Sequence, residues 1–109
     1  MENTVLPLVT VMIPCYNHEK FIKESIQSVI DQTYSRLELI VIDDGSKDNS
    51  IQIIEEMRLA CEQRFEYFQF VFRENRGLSR TLNQGLSLAR GEYFSIVASD
   101  DIMLPEKTA

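Results

Sequence analysis

Leu37-Glu38-Leu39-Ile40-Val41-Ile42-Asp43-Asp44-Gly45-Ser46 passes from a strand pattern into a turn pattern within ten residues. A largely apolar run containing β-branched residues reads as a strand, and it passes directly into acidic turn chemistry in which Gly45 permits a positive φ. In an open α/β sheet the carboxyl ends of the strands face the ligand crevice. A second acidic pair, Asp100-Asp101, follows the apolar run Tyr93-Phe94-Ser95-Ile96-Val97. The two pairs are therefore predicted to share one acidic pocket, an arrangement suited to a metal-bound diphosphate.

Working outward, Leu8-Val9-Thr10-Val11-Met12-Ile13 is short and apolar on both faces, the pattern of a strand covered by helices on both sides. Pro14 lacks the ladder donor and is expected to end it. From Asn17 onward Phe21, Ile22, Ser25, Ile26, Val29 and Ile30 recur at helical spacing, with Asn17 or His18 near the start. Beyond Gly45, Asp48 or Ser46 is expected to cap a second helix whose face carries Ile51, Ile54, Met57 and Cys61. Phe65 to Phe72 reads as a third strand ended by Asn75-Arg76-Gly77, and Leu78, Leu82, Leu86 and Ala89 mark a third helix closed by Gly91. The order βαβαβαβ predicts a single α/β domain of three layers, α/β/α, with a mostly parallel, doubly wound, Rossmann-like sheet.

Composition narrows the partners. Eleven Lys and Arg against seventeen Asp and Glu give a formal charge of −6, which repels a phosphate backbone over most of the surface, so nucleic acid is not an expected partner. The 44% apolar and 26% charged content is that of an ordinary globular chain. Cys15 and Cys61 form neither a CxxC pair nor a zinc set with the lone His18, and are expected to be buried thiols in a reducing compartment. The N-terminal residues lack a signal-peptide pattern and no stretch approaches the ~20 apolar residues that span a bilayer, so a cytoplasmic location is expected.

The order of short motifs resembles the nucleotide-binding half of the family 2 glycosyltransferases, the large group with the GT-A fold. The matching pieces begin with Val11-Met12-Ile13-Pro14-Cys15-Tyr16-Asn17, Ser28-Val29-Ile30-Asp31-Gln32-Thr33-Tyr34 and Glu38-Leu39-Ile40-Val41-Ile42-Asp43-Asp44-Gly45-Ser46-Lys47-Asp48. They continue with Asn75-Arg76-Gly77-Leu78-Ser79, Asn83-Gln84-Gly85, Ala89-Arg90-Gly91-Glu92-Tyr93 and Ser99-Asp100-Asp101. Each piece alone is weak, but together and in order they are specific. The family's acidic motif is usually Asp-x-Asp, and here its first position is Ala98, so the resemblance carries over to Asp100 and Asp101 only. Family members also have a C-terminal half that forms the acceptor site and supplies the catalytic base. This chain, residues 1–109, is expected to be the nucleotide-sugar-binding domain, truncated before that half and by itself inactive.

The resemblance implies transfer of a sugar, with inversion, from a nucleotide-diphosphate donor such as a UDP-sugar to a hydroxyl of a glycan or lipid-linked acceptor. An acidic pocket accepts a diphosphate only through a cation, and hard oxygen ligands favour Mn²⁺ or Mg²⁺. Asp100 is expected at the ribose or metal, with Asp101 as its partner at the metal. Asp44, with Asp43 beside it, is expected to accept the imide N–H of a uracil ring, and Tyr16 to stack on the base over a floor shaped by Pro14 and Cys15. Arg80 and Arg76 lie around the start of the third helix, where a cation suits a phosphate or uracil oxygen. Each has an ordinary alternative: turn or capping chemistry for the aspartates, a half-buried aromatic for Tyr16, plain surface residues for the arginines. Asn83 is expected to be structural, and His18 to be a surface or capping residue.

Two rival functions frame this reading. A phosphoreceiver-type signalling domain has similar length, but its acidic pair follows the first strand, where this chain has Pro14-Cys15-Tyr16. A non-catalytic nucleotide-binding module of the same fold is the stronger rival, and Ala98 and the absent acceptor half favour it. An uncovered sheet edge makes a homodimer an expected state, and peripheral attachment to the inner face of the cell membrane is compatible with the family.

Overall fold

The computed structural model describes residues 6–97; Asp100 and Asp101 therefore lie outside the described residues, as does Ala98. Four strands form one sheet in the order β3-β2-β1-β4, with β1 spanning Val9–Cys15, β2 Leu37–Asp44, β3 Tyr67–Arg73 and β4 Tyr93–Ile96. All three pairings are parallel, in registers that run from Val9↔Leu37 to Cys15↔Asp43, from Glu38↔Tyr67 to Asp44↔Arg73, and from Val9↔Tyr93 to Met12↔Ile96. The helices are α1 at Ile22–Ile30, α2 at Ser50–Glu56, α3 at Arg58–Arg64 and α4 at Leu78–Leu88.

The layering follows from the handedness of parallel crossovers. The connections β1-α1-β2 and β2-α2-α3-β3 step one way across the sheet, whereas β3-α4-β4 steps back, so right-handed crossovers put α1 to α3 on one face and α4 on the other. The core divides accordingly. Val11, Ile13, Leu39 and Val41 pack with Ile22, Ile26, Val29, Ile54 and Cys61 on the first face, while Met12, Ile40 and Ile42 pack with Leu82 and Leu88 on the second. Because both faces are covered, β2 is buried along its whole length. The α/β/α architecture read from the motif order is the one observed.

Several details correct that reading. Pro14 does not end β1, which continues to Cys15 with Pro14 in register with Ile42. The Met12 carbonyl accepts from the Val97 amide on the β4 side, so Pro14, two residues on, turns its missing donor to that same side past the β1–β4 register, where it costs no ladder bond. Helix α1 starts at Ile22 rather than near Asn17, which has φ 53°; the Phe21 and Ile22 amides donate to the His18 carbonyl. The face carrying Ile54, Met57 and Cys61 is broken into α2 and α3 at Met57, whose amide bonds three residues back to Ile54, although the three side chains remain buried. Phe65 caps α3, and β3 begins at Tyr67.

Gly45 has the expected positive φ, 83°. Asp48 accepts from the Ser50 amide at 2.9 Å and from the Glu19 amide at 3.1 Å, although Asn49 occupies the N-cap of α2. Gly91 does not cap α4, which closes at Ala89 in extended conformation. Its need is proximity, since a Cβ there would lie 2.6 Å from Thr10 Oγ1 and 2.7 Å from the Leu8 carbonyl oxygen. Cys15 and Cys61 are buried free thiols; burial pushes them up to about 11, with the Asp43 charge adding to the effect, and about 12 respectively. No helix among the described residues is long and apolar enough to cross a membrane.

Candidate functional site

A cavity of about 520 Å³ opens at the carboxyl ends of β1, β2 and β4, walled by Pro14, Cys15, Tyr16 and His18, by Asp44, by Ile96, and by Asn75, Gly77, Leu78, Thr81 and Leu82 from the β3–α4 connection and the start of α4. This is where chain direction across the sheet reverses between β1 and β4, the position at which doubly wound sheets hold ligands. Of the sequence candidates, Pro14, Tyr16 and Asp44 meet here. Tyr16 lines the cavity and is 44% exposed.

Asp44 is fixed from three directions. Its Oδ1 accepts from Arg73 Nη1 and, at 2.8 Å, from the Arg76 amide, and its Oδ2 accepts from the Gly77 amide at 3.1 Å. Burial pushes this carboxyl up, but the Arg76 amide, the Arg73 guanidinium and the Gly77 amide together outweigh it and hold the group below the ordinary carboxylate range. Asp44 is thus a charged, oriented acceptor at the cavity wall. It is already neutralised by a cation, which makes it a poor metal ligand.

Asp43 faces away from this cavity. It is fully buried and accepts from the Ser46 amide at 2.7 Å and the Ser46 hydroxyl at 2.5 Å. Ser46 Oγ in turn accepts the Asn17 amide at 2.8 Å, while Asn17 Oδ1 accepts the Lys47 amide at 2.8 Å. These bonds tie the loop carrying Tyr16 to the turn after β2. Arg80 lines a second cavity of about 370 Å³ with Arg73, Arg76 and Gln84. Among the described residues no group of three His, Cys, Asp or Glu side chains is placed to hold a metal; Asp100 and Asp101, expected at the metal, lie outside the described residues.

Arg73 was not singled out in the sequence. Only the register that sets Asp44 against Arg73 at the ends of β2 and β3 shows it, and a register is a product of folding. Glu38 was also read simply as a strand residue. It is fully buried and accepts from Thr10 Oγ1 at 2.8 Å, the Arg90 amide at 2.8 Å and Gln69 Nε2 at 3.2 Å, pinning the α4–β4 turn to the sheet end opposite the cavity.

The family model described as "Glycosyl transferase family 2" matches residues 10–108. The chain belongs to this family. It is 40% identical over 106 residues to the uncharacterized glycosyltransferase RT0329 of Rickettsia typhi, covering 97% of the chain and 31% of the relative. To the glycosyltransferase GlyG of Streptococcus pneumoniae it is 37% identical over 97 residues, covering 88% of the chain and again 31% of the relative. The chain thus spans less than a third of the length of these curated relatives.

Solved structures agree on the GT-A fold. The mannosyltransferase PcManGT of Pyrobaculum calidifontis, in complex with GDP-Man and Mn²⁺, superposes with a TM-score of 0.85 at 29% identity, covering 96% of this chain and 31% of that one. TarS 1-349 of S. aureus, in complex with UDP-GlcNAc, gives a TM-score of 0.81 at 30% identity, covering 93% and 29%.

Proposed function

We propose that this glycosyltransferase chain is the nucleotide-sugar-binding domain of a longer enzyme that transfers a sugar from a UDP-sugar to an acceptor hydroxyl, with inversion and with a divalent cation. The observation that carries this reading is the Asp44 carboxylate at the wall of the switch-point cavity. A carboxylate has about four lone-pair sites; Asp44 uses two on Oδ1 and one on Oδ2, leaving one for the imide N–H of uracil. Tyr16 covers the base, and Pro14 and Cys15 form the floor. The neighbours bound to UDP-GlcNAc and to GDP-Man both support a nucleotide-diphosphate donor.

Asp100 and Asp101 offer the hard oxygen donors that Mn²⁺ or Mg²⁺ takes, and a cation there supplies charge neutralisation for the departing diphosphate. This chain's own residues bind and orient the nucleotide. The base that activates the acceptor hydroxyl, the glycan or lipid-linked acceptor and its site belong to the longer enzyme, on the cytoplasmic side of the cell membrane in this reading.

The test is thermal. UDP with Mn²⁺ is expected to raise the melting temperature more than either alone, and no shift at millimolar ligand overturns the reading. Ala98 gives the non-catalytic module its own outcome: nucleotide binding by the longer protein with neither donor hydrolysis nor transfer.

A further inference from the structure

Arg73 is built into the molecule more firmly than its partner. Its side chain is 15% exposed, and its guanidinium donates in separate directions to Asp44 Oδ1, to Gln84 Oε1 at 2.8 Å, to Thr81 Oγ1 at 2.9 Å and to the Glu74 carbonyl at 3.3 Å. Thr81 is fully buried and passes its own hydroxyl proton to the Gly77 carbonyl at 3.0 Å, so the first turn of α4 holds the guanidinium plane. Gly77 closes the circuit, because its amide donates to Asp44 Oδ2. A planar fork engaged at several points has one orientation, unlike an ammonium on a flexible stem.

We propose that Arg73 is the positioning residue that sets nucleobase specificity, by keeping Asp44 an acceptor-only group of fixed direction. The inference rests on the reading of Asp44 as the uracil contact. A carboxylate so held accepts from a base edge that carries an N–H, as uracil does, and repels the bare ring nitrogen that cytosine shows at the same edge. Freed from Arg73, the mostly buried Asp44 is able to rotate or to take up a proton. A protonated carboxyl donates as well as accepts, and the distinction between the two bases is lost.

Calorimetric titration of the whole chain with UDP and with CDP, in the presence of Mn²⁺, tests this. The wild type is expected to prefer UDP by roughly 10- to 100-fold, the range of a charge-assisted hydrogen bond replaced by repulsion. Arg73→Met is expected to bring the two affinities within about threefold, chiefly by raising that for CDP. Arg73→Lys, which restores charge without the fork, is expected to recover part of the preference. Arg73→Lys also decides the matter should Arg73→Met not fold; a UDP-to-CDP ratio below that of the wild type supports the proposal and an unchanged ratio overturns it. An Arg73→Met protein that folds and keeps the full preference overturns this inference alone. A wild type indifferent to the base overturns the reading of Asp44 and this inference with it.

Discussion

At the scale of single residues, neighbouring aspartates with the same sequence signature have separate tasks. Asp43 accepts from Ser46 and fixes a turn, whereas Asp44 lines the cavity and pairs with Arg73. A strand's side chains alternate between faces, so adjacent acids at its end diverge. The Asp44 carboxyl is held below its ordinary value of 3.8. Its pairing therefore stabilises the fold fully above that ordinary value, and the contribution is lost as pH falls through the depressed one. Asp44→Asn is expected to lower stability at pH 6 more than at pH 3, which urea denaturation at the two pH values checks. Equal losses at both would show that the ionised pair contributes nothing.

Glu38 invites a second residue-scale test. Glu38→Ala strips the Arg90 amide and Gln69 of an acceptor inside the fold and is expected to cost about 1–3 kcal/mol by urea denaturation. UDP affinity should be unaffected, since this network sits at the amino ends of the strands.

At the scale of elements, the decisive pieces are the connections that follow β1, β2 and β3. The turn after β2 passes so close to the β3–α4 connection that a Cβ at Gly45 would lie 2.6 Å from the Asn75 amide nitrogen, and φ there is 83°. Gly45→Ala is expected to destabilise by about 1–3 kcal/mol and to weaken UDP binding, because Asn75 leads into the amides that hold Asp44. Thermal melts and UDP titration of the variant measure both effects. The apolar spacing of Ile54, Met57 and Cys61 was legible as a helical face, but the break at Met57 was not, since a tighter turn between two short helices leaves the buried side chains on one side. The start of α1 was likewise obscured: Asn17 has a left-handed conformation and serves the neighbouring loop instead of capping the helix.

At the scale of the whole molecule, the proposed function would have a chain of net charge −6 hold a diphosphate. The guanidinium bonded to Asp44, that of Arg73, is itself paired, so the proposed cation has to offset much of the donor's charge. Chelation of Mn²⁺ by EDTA is accordingly expected to return the melting temperature of the UDP complex toward that of the chain with UDP alone. Saturation at about 100 times Kd is worth about 2.7 kcal/mol of stability, enough for the difference to be read in a thermal scan. An unchanged melting temperature would show that the nucleotide binds without metal.

Local pattern sufficed for the α/β class, the alternation of strands and helices, the burial of the β1 strand and the acidic end of β2, because these depend on hydrophobic periodicity and turn chemistry that act over a few residues. Packing between distant segments placed Pro14 within β1, parted Asp43 from Asp44, and brought Asp44, Thr81 and Gln84 together around the Arg73 guanidinium. Those outcomes depend on strand register and on the direction in which each crossover packs. Both are set when separate segments bury their apolar faces against one another, and no local pattern encodes them alone.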